Sequence, residues 1–402
     1  VLLDVFNSMG MPTSTTVSLF CELLGGTFAL SRIKVRNSDT LGLGDLINTD
    51  KALSVIMAIF VSVAIAFFFG MLVQWLARVI FTFNYTKKMK YSIALFGGVA
   101  ATSIIYFMLI KGLKDSSFMT PENKQWIQGN TLLLIASFFV FFTALMQVLH
   151  WLKVNVFKVV VLMGTFALAL AFAGNDLVNF VGVPVAGYDS YMMARASGDA
   201  AMTMGGLATD ASANILLLLA AGAIMIVTLW TSRRALSVSK TELSLSNQNE
   251  GEERYGSSVV SRGLVRAAMN VNAFYERIMP ARLQRAVAAR FEKLPEEERE
   301  GGSYDLIRAT VNLTTASILI SIATSLKLPL STTYVCFMVS MGSSLADRAW
   351  GRESAVYRIT GVMAVISGWV ITSLGGFLIA LAVTALLLWG GWIAVAALTA
   401  LC

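Results

Sequence analysis

Residues 171–184 read AFAGNDLVNFVGVP and place a carboxylate inside apolar sequence. Ionisable side chains are expensive within a membrane and mark functional positions by default. Asp176 follows Asn175 directly and lies about one helical turn before Asn179. Carboxylate and amide oxygens suit a hard cation such as Na⁺, especially with carbonyls freed by a helix break near Gly174 or Gly182. The alternative is an Asp that caps a helix where the chain leaves the membrane, with Pro184 and Gly187 marking the exit.

A second kind of chemistry occurs twice. Pro12-Thr13-Ser14-Thr15-Thr16 and Pro329-Leu330-Ser331-Thr332-Thr333 lie 317 residues apart, each beside apolar sequence. Aligned without gaps from Pro12 to Ala29 and from Pro329 to Ala346, the two copies share seven identities in eighteen positions. The identities include Gly25 with Gly342 and Phe20 with Phe337. This pattern reads as an internal duplication. A helix that starts inside a membrane presents unsatisfied N–H groups and positive dipole character. Ser and Thr hydroxyls add donors, and proline fits the first turn because it has no N–H to lose. Two such ends facing each other would cradle an anion without a buried Lys or Arg. The short apolar runs Thr15–Ala29 and Thr332–Ala346 are expected as half-helices or re-entrant hairpins.

These residues need a scaffold, and composition points to one. The 402-residue chain is 56% hydrophobic and 14% charged, well below the roughly 25% charge of soluble domains. Mean hydropathy is +0.70. The expected class is an all-α polytopic membrane protein with inverted repeats and re-entrant or broken helices. Spans of about 20 apolar residues are expected at Ala52–Ile80, Tyr91–Leu113, Asn130–His150, Val156–Phe172, Asn214–Trp230, Leu306–Leu326 and Tyr357–Trp389. The last is long enough to tilt or to break at Gly375-Gly376, while Trp392–Leu401 is too short to span alone.

Three regions follow. Residues 1–231 form the first part of the membrane domain, 232–303 a polar cytoplasmic loop and 304–402 the remaining membrane part. Within the loop, residues 242–258 read as polar and solvated, and PEEEREGG at 295–302 as an acidic turn. Residues 261–294 read as one or two amphipathic helices interrupted near Pro280.

Several functions are excluded. The net charge of +7 fits basic anchors at membrane ends, and no basic run is interleaved with stacking aromatics for nucleic acid. One histidine, His150, and three scattered cysteines, Cys21, Cys336 and Cys402, argue against a His/Cys metal site. No phosphate-binding loop of the Gly-rich Lys-Ser/Thr type occurs, which argues against an ATP-driven pump. The shortage of His and clustered carboxylates argues against an enzyme, and no organic cofactor is expected. An anion channel stays open as an alternative, although channels often line their pores with residues of one charge sign and no such ring is evident.

Gly174-Asn175-Asp176-Leu177-Val178-Asn179 resembles the Gly-Ala-Asn-Asp-x-x-Asn element of the PiT-type inorganic phosphate transporters, and Pro329-Leu330-Ser331-Thr332-Thr333 resembles that family's Pro-x-Ser-Thr-Thr element. The long polar loop falls where the family has its large intracellular loop. The resemblance implies cation-coupled phosphate symport across a plasma or inner membrane, with Na⁺ as coupling ion and H⁺ as the alternative. It also leaves room for a homo-oligomer. The residues it implies are Ser14, Thr15, Thr16, Asn175, Asp176, Asn179, Ser331, Thr332 and Thr333. Hydroxyls and nearby N–H groups would hold phosphate oxygens. Asp176 and Asn175 would hold the coupling cation, or Asp176 would orient the phosphate through its protons. Glu22, Asp4, Asn7 and Asn312 are secondary candidates. The chain departs from the family pattern where the alanine is missing before Asn175, and where Val17 and Tyr334 stand in place of a frequent histidine. Only one Asn-Asp element is present, so its partner is expected upstream of Val1. Sulfate remains an alternative substrate, although phosphate can keep a proton and donate it to Asp176 whereas sulfate cannot.

Overall fold

The protein is described here from a computed structural model covering residues 2–38, 40–84, 89–108, 119–198, 214–248, 255–292, 303–326, 328, 330–349 and 352–401. Among the described residues it is all-helical. The helices are α1 (Leu2–Ser8), α2 (Thr15–Arg36), α3 (Leu43–Leu46), α4 (Thr49–Phe81) and α5 (Met89–Ile105). Next come α6 (Pro121–Gly129), α7 (Thr131–Trp151), α8 (Val156–Ser197), α9 (Ile215–Thr231) and α10 (Arg233–Leu245). The chain closes with α11 (Val259–Ile278), α12 (Ala281–Ala288), α13 (Leu306–Ser325), α14 (Thr332–Ala346) and α15 (Arg352–Leu401). Six of them are long and apolar enough to cross a membrane, and α9 with α10 would make a seventh span bent by 66°. This is a membrane protein. Its exposed large apolar side chains, such as Leu132, Trp230 and Trp389, have the character of a lipid-facing surface.

Polar side chains set where the spans begin. Asn48, Asn155 and Asn214 accept from Lys51 N, Lys158 N and Leu216 N at the starts of α4, α8 and α9. Each satisfies one of the orphan donors of a helix N-terminus. The bundle has two packed cores. One gathers α2, α4, α10, α13, α14 and α15. The other gathers α4, α5, α7, α8 and α13.

The two hydroxyl-led helices pack by the same device. A Cβ on Gly25 of α2 would overlap the carbonyl oxygen of Phe377 in α15, and one on Gly342 of α14 would overlap that of Phe67 in α4. Small residues matter in a bilayer because lipid supplies no hydrophobic force between helices, so close van der Waals contact must hold them.

Four expectations need correction. The first hydroxyl-led segment is not short: α2 runs on to Arg36, because LSRIKVR continues a good helix whose basic residues suit an interfacial end. Only α14, with 15 residues, is a short buried helix. The Val156 span does not end at Phe172 and shows no break at Gly174 or Gly182; α8 is helical through all 42 residues, with Pro184 inside. The last helix is unbroken at Gly375-Gly376, where both glycines close-pack against Leu2 and against Ser18 and Glu22. Its kink falls at Gly391, with φ 51, a conformation that glycine adopts without a Cβ clash. Finally, residues 242–248 are not a solvated stretch. Leu245 and Ser246 are buried, and Gln248 N donates to Ser303 O at 2.8 Å. The break at Pro280, between α11 and α12, is as expected, whereas the acidic turn 295–302 lies outside the described residues.

What clasps residues 246–248 is a set of buried arginines. Arg78 donates to Asp305 at 2.7 and 3.1 Å and to Asp347 at 2.6 and 2.9 Å. Gln74 adds a bond to Asp347 at 2.7 Å. Asp305 also caps α13 by accepting from Arg308 N. Arg308 donates to Gln248 Oε1 at 2.9 Å and to Ser246 O, and Arg358 to Asn247 O at 2.6 Å. One end of α4, α13 and α14 is thus locked to the start of the loop. Removing one member of a buried ion group strands the others, at a cost of about 3–5 kcal/mol. Arg78→Ala is therefore expected to lower the thermal unfolding temperature in detergent sharply. The exposed control Arg32→Ala should leave it nearly unchanged.

Candidate functional site

Both hydroxyl clusters start helices, as their composition predicts. Ser14 is the N-cap of α2 and accepts from Val17 N at 3.2 Å. Ser331 is the N-cap of α14 and accepts from Tyr334 N at 3.1 Å. Equivalent residues of the repeat thus do the same local job. Ser14 and Ser331 are buried, as are Thr16 and Thr332. Thr15 and Thr333 are only half-buried. Pro329 lies outside the described residues.

The middle of α8 joins the two clusters. Thr332 Oγ1 donates to Asp176 Oδ2 at 2.7 Å. One turn along, Asn179 Nδ2 donates to Thr16 Oγ1, also at 2.7 Å. Residues three apart on a helix share a face, so one face of α8 bonds to the first turns of both α2 and α14. Asn175 is half-buried and makes no side-chain hydrogen bond among the described residues. The break expected to free carbonyls beside Asp176 is absent. Pro184 has no N–H, so the Phe180 carbonyl four residues back loses its helical donor.

Asp176 is only 9% exposed, and its Oδ1 has no hydrogen-bond partner. Among the described residues its carboxylate has no ion-pair partner either; the buried ion pairs involve Arg78 and Arg308 with Asp305 and Asp347. A buried carboxylate with only neutral donors is poorly compensated. The arrangement can therefore accept positive charge or a hydroxyl donor from a ligand at Oδ1. Hydroxyls and first-turn N–H groups stand close by to meet ligand oxygens.

Sequence reasoning missed a third link. Trp369 of α15 donates from its indole to Pro12 O at 2.9 Å, and its ring stacks on Tyr334 at 3.7 Å and 17°. It ties the approach to one cluster to the first turn of the other. No spacing in the sequence singles out this tryptophan from the others. Tyr334 was visible as a departure from the family pattern, and its buried hydroxyl has no partner.

The secondary acids stay apart from this centre. Glu22 accepts from Ser18 at 3.3 Å and packs against Gly376. Asp4 is exposed on α1. Asn7 Oδ1 accepts from Thr13 at 3.2 Å, next to the first cluster. No group of three or more His, Cys, Asp or Glu able to hold a metal occurs among the described residues, so a cation at Asp176 would depend on hydroxyl and amide oxygens.

Thr332 supplies a short hydrogen bond to the buried carboxylate. Thr332→Val keeps the shape and removes the donor, and leaving a buried acceptor unmet costs about 1–3 kcal/mol. Thermal unfolding should show that loss for Thr332→Val and recovery for Thr332→Ser. Equal behaviour of the two variants would mean that the bond contributes nothing.

Searches of family models, of curated proteins and of solved structures returned no match to this chain.

Proposed function

We propose that this chain is a secondary active transporter that moves inorganic phosphate across a membrane by cation-coupled symport. The observation that carries the reading is the double link made by one face of α8. Asp176 meets Thr332 and Asn179 meets Thr16, so the Asn-Asp element and both hydroxyl clusters converge. The resemblance to the PiT-type transporters rests on the same residues. The matched caps at Ser14 and Ser331, and the matched close packing at Gly25 and Gly342, support two related halves arranged as inverted repeats.

Moving a hydrated anion through hydrocarbon requires fixed donors in place of water and positive charge to offset its own. Two buried helix starts supply N–H groups and hydroxyls. Asp176, with one oxygen free, takes either a coupling cation or a proton donated by phosphate itself. That second contact favours phosphate over sulfate. Na⁺ is the coupling ion in this reading and H⁺ the alternative, in a plasma or inner membrane. If each cycle carries one net positive charge inward, the membrane potential supplies about 2.3 kcal/mol per 100 mV. That permits roughly fiftyfold accumulation per 100 mV. Alternating access would come from one half moving against the other.

The test is radiolabelled phosphate uptake into proteoliposomes with and without an inward Na⁺ gradient, beside Asp176→Asn. Saturable, Na⁺-dependent uptake that falls at least tenfold in the variant is expected. Uptake that follows only a proton gradient would change the coupling ion. Sulfate uptake in place of phosphate would overturn the substrate, and flux that neither saturates nor depends on a cation would overturn symport in favour of a channel.

A further inference from the structure

A cavity of about 140 Å³ lies between α8, α10, α13 and α14. Aliphatic side chains of α8 and α13 line it together with Glu242, Tyr304, Asn312 and Cys336. Its polar groups meet few partners. The buried Asn312 amide is near the Tyr304 hydroxyl and has no further hydrogen-bond partner. Ser340 is 1% exposed, and its hydroxyl is beside the Glu242 carboxylate with no other partner. Among the described residues Glu242 has no ion-pair partner. The nearby Arg308 is engaged elsewhere, by Ser246 O, Gln248 and the Tyr304 ring.

The chemistry of this set is selective. A carboxylate, an amide oxygen, a serine hydroxyl and a phenol are all oxygen donors, the ligands hard cations prefer. A half-buried carboxylate without an ion-pair partner is poorly compensated, and a cation would offset that. At about 30 Å³ per water, the cavity has room for an ion that keeps several waters. Its place in the fold is also informative. Thr332, Cys336 and Ser340 recur every four residues and so line one face of α14. Thr332 holds Asp176 at one end of that face, and Ser340 meets Glu242 further along. On α8 the cavity wall at Leu168 lies about 12 Å from Asp176, at 1.5 Å per residue. Beyond it, α14 ends at Asp347, held by Arg78.

We propose that Glu242, Asn312, Ser340 and Tyr304 form a second site for a partly hydrated monovalent cation, distinct from Asp176 and placed between it and the arginine-locked end. The inference concerns cation binding alone and does not need phosphate to be the substrate.

The test is equilibrium binding of ²²Na⁺ to the purified full chain in detergent, without phosphate and against choline at constant ionic strength. The Asp176→Asn variant, which disables the central carboxylate, should still bind Na⁺ saturably. Adding Glu242→Gln should weaken that remaining binding at least tenfold. Adding the milder Ser340→Ala, which alters no charge and little volume, should weaken it several-fold and serves if Glu242→Gln fails to fold. Loss of all Na⁺ binding in Asp176→Asn would overturn the second site, as would unchanged binding in both added variants. Na⁺ binding without phosphate uptake would leave this site standing while the transport reading fails.

Discussion

A charge held away from water has to find its complement inside the protein, and the bundle is organised around how such charges are met. Arg78 is fully answered by two carboxylates and a cation–π contact to Phe83 at 3.8 Å. Arg308 shares Asp347 at 3.9 Å and donates to backbone and side-chain oxygens of residues 246–248. These groups fasten α4, α13 and α14 to the loop that follows α10. Asp176 and Glu242 are different. Each is a carboxylate without an ion-pair partner among the described residues. The answered charges act as scaffold, and the unanswered ones are where a bound cation would lower the energy.

The contrast extends to helix packing. In lipid, apolar area gives no preference for helix over tail, so association depends on close approach and on polar contacts. Gly25 and Gly342 bring α2 and α14 onto the backbones of α15 and α4. That approach fixes the depth at which the two hydroxyl-capped starts lie. α8 then passes both starts and makes one hydrogen bond to each. Trp369 adds a brace by holding Pro12 and Tyr334 together. A site assembled from three separate helices in this way would respond to movement of any one of them, as alternating access requires.

Much of this was legible in the chain itself. The apolar runs located most of the spans because about 20 such residues are needed to cross a bilayer, and the starts of α4, α8, α9 and α13 fall beside Asn and Asp caps that the sequence displays. The duplicated Pro-x-Ser-Thr-Thr element identified two helix starts, and Asp176 stood out because a carboxylate in apolar sequence is costly. Local composition decides these features, since capping, helix length and the expense of a buried charge depend on a residue and its near neighbours.

Tertiary structure alone decided the rest. Whether α8 would break at its glycines, and whether Gly375-Gly376 would bend α15, depended on what packed against them; close contact with α1 and α2 keeps the latter straight. Residues 242–248 look solvated in sequence, yet Arg308 and Arg358 draw them into the core from 60 or more residues away. Which threonine of each cluster would turn inward, Thr16 and Thr332 rather than Thr15 and Thr333, was set by the rotation of α2 and α14 against their partners. Pairing of Asp176 with one cluster and of Asn179 with the other joins residues more than 150 positions apart. Such contacts arise only when distant helices pack, so local sequence carries the parts of the site while packing decides which parts meet.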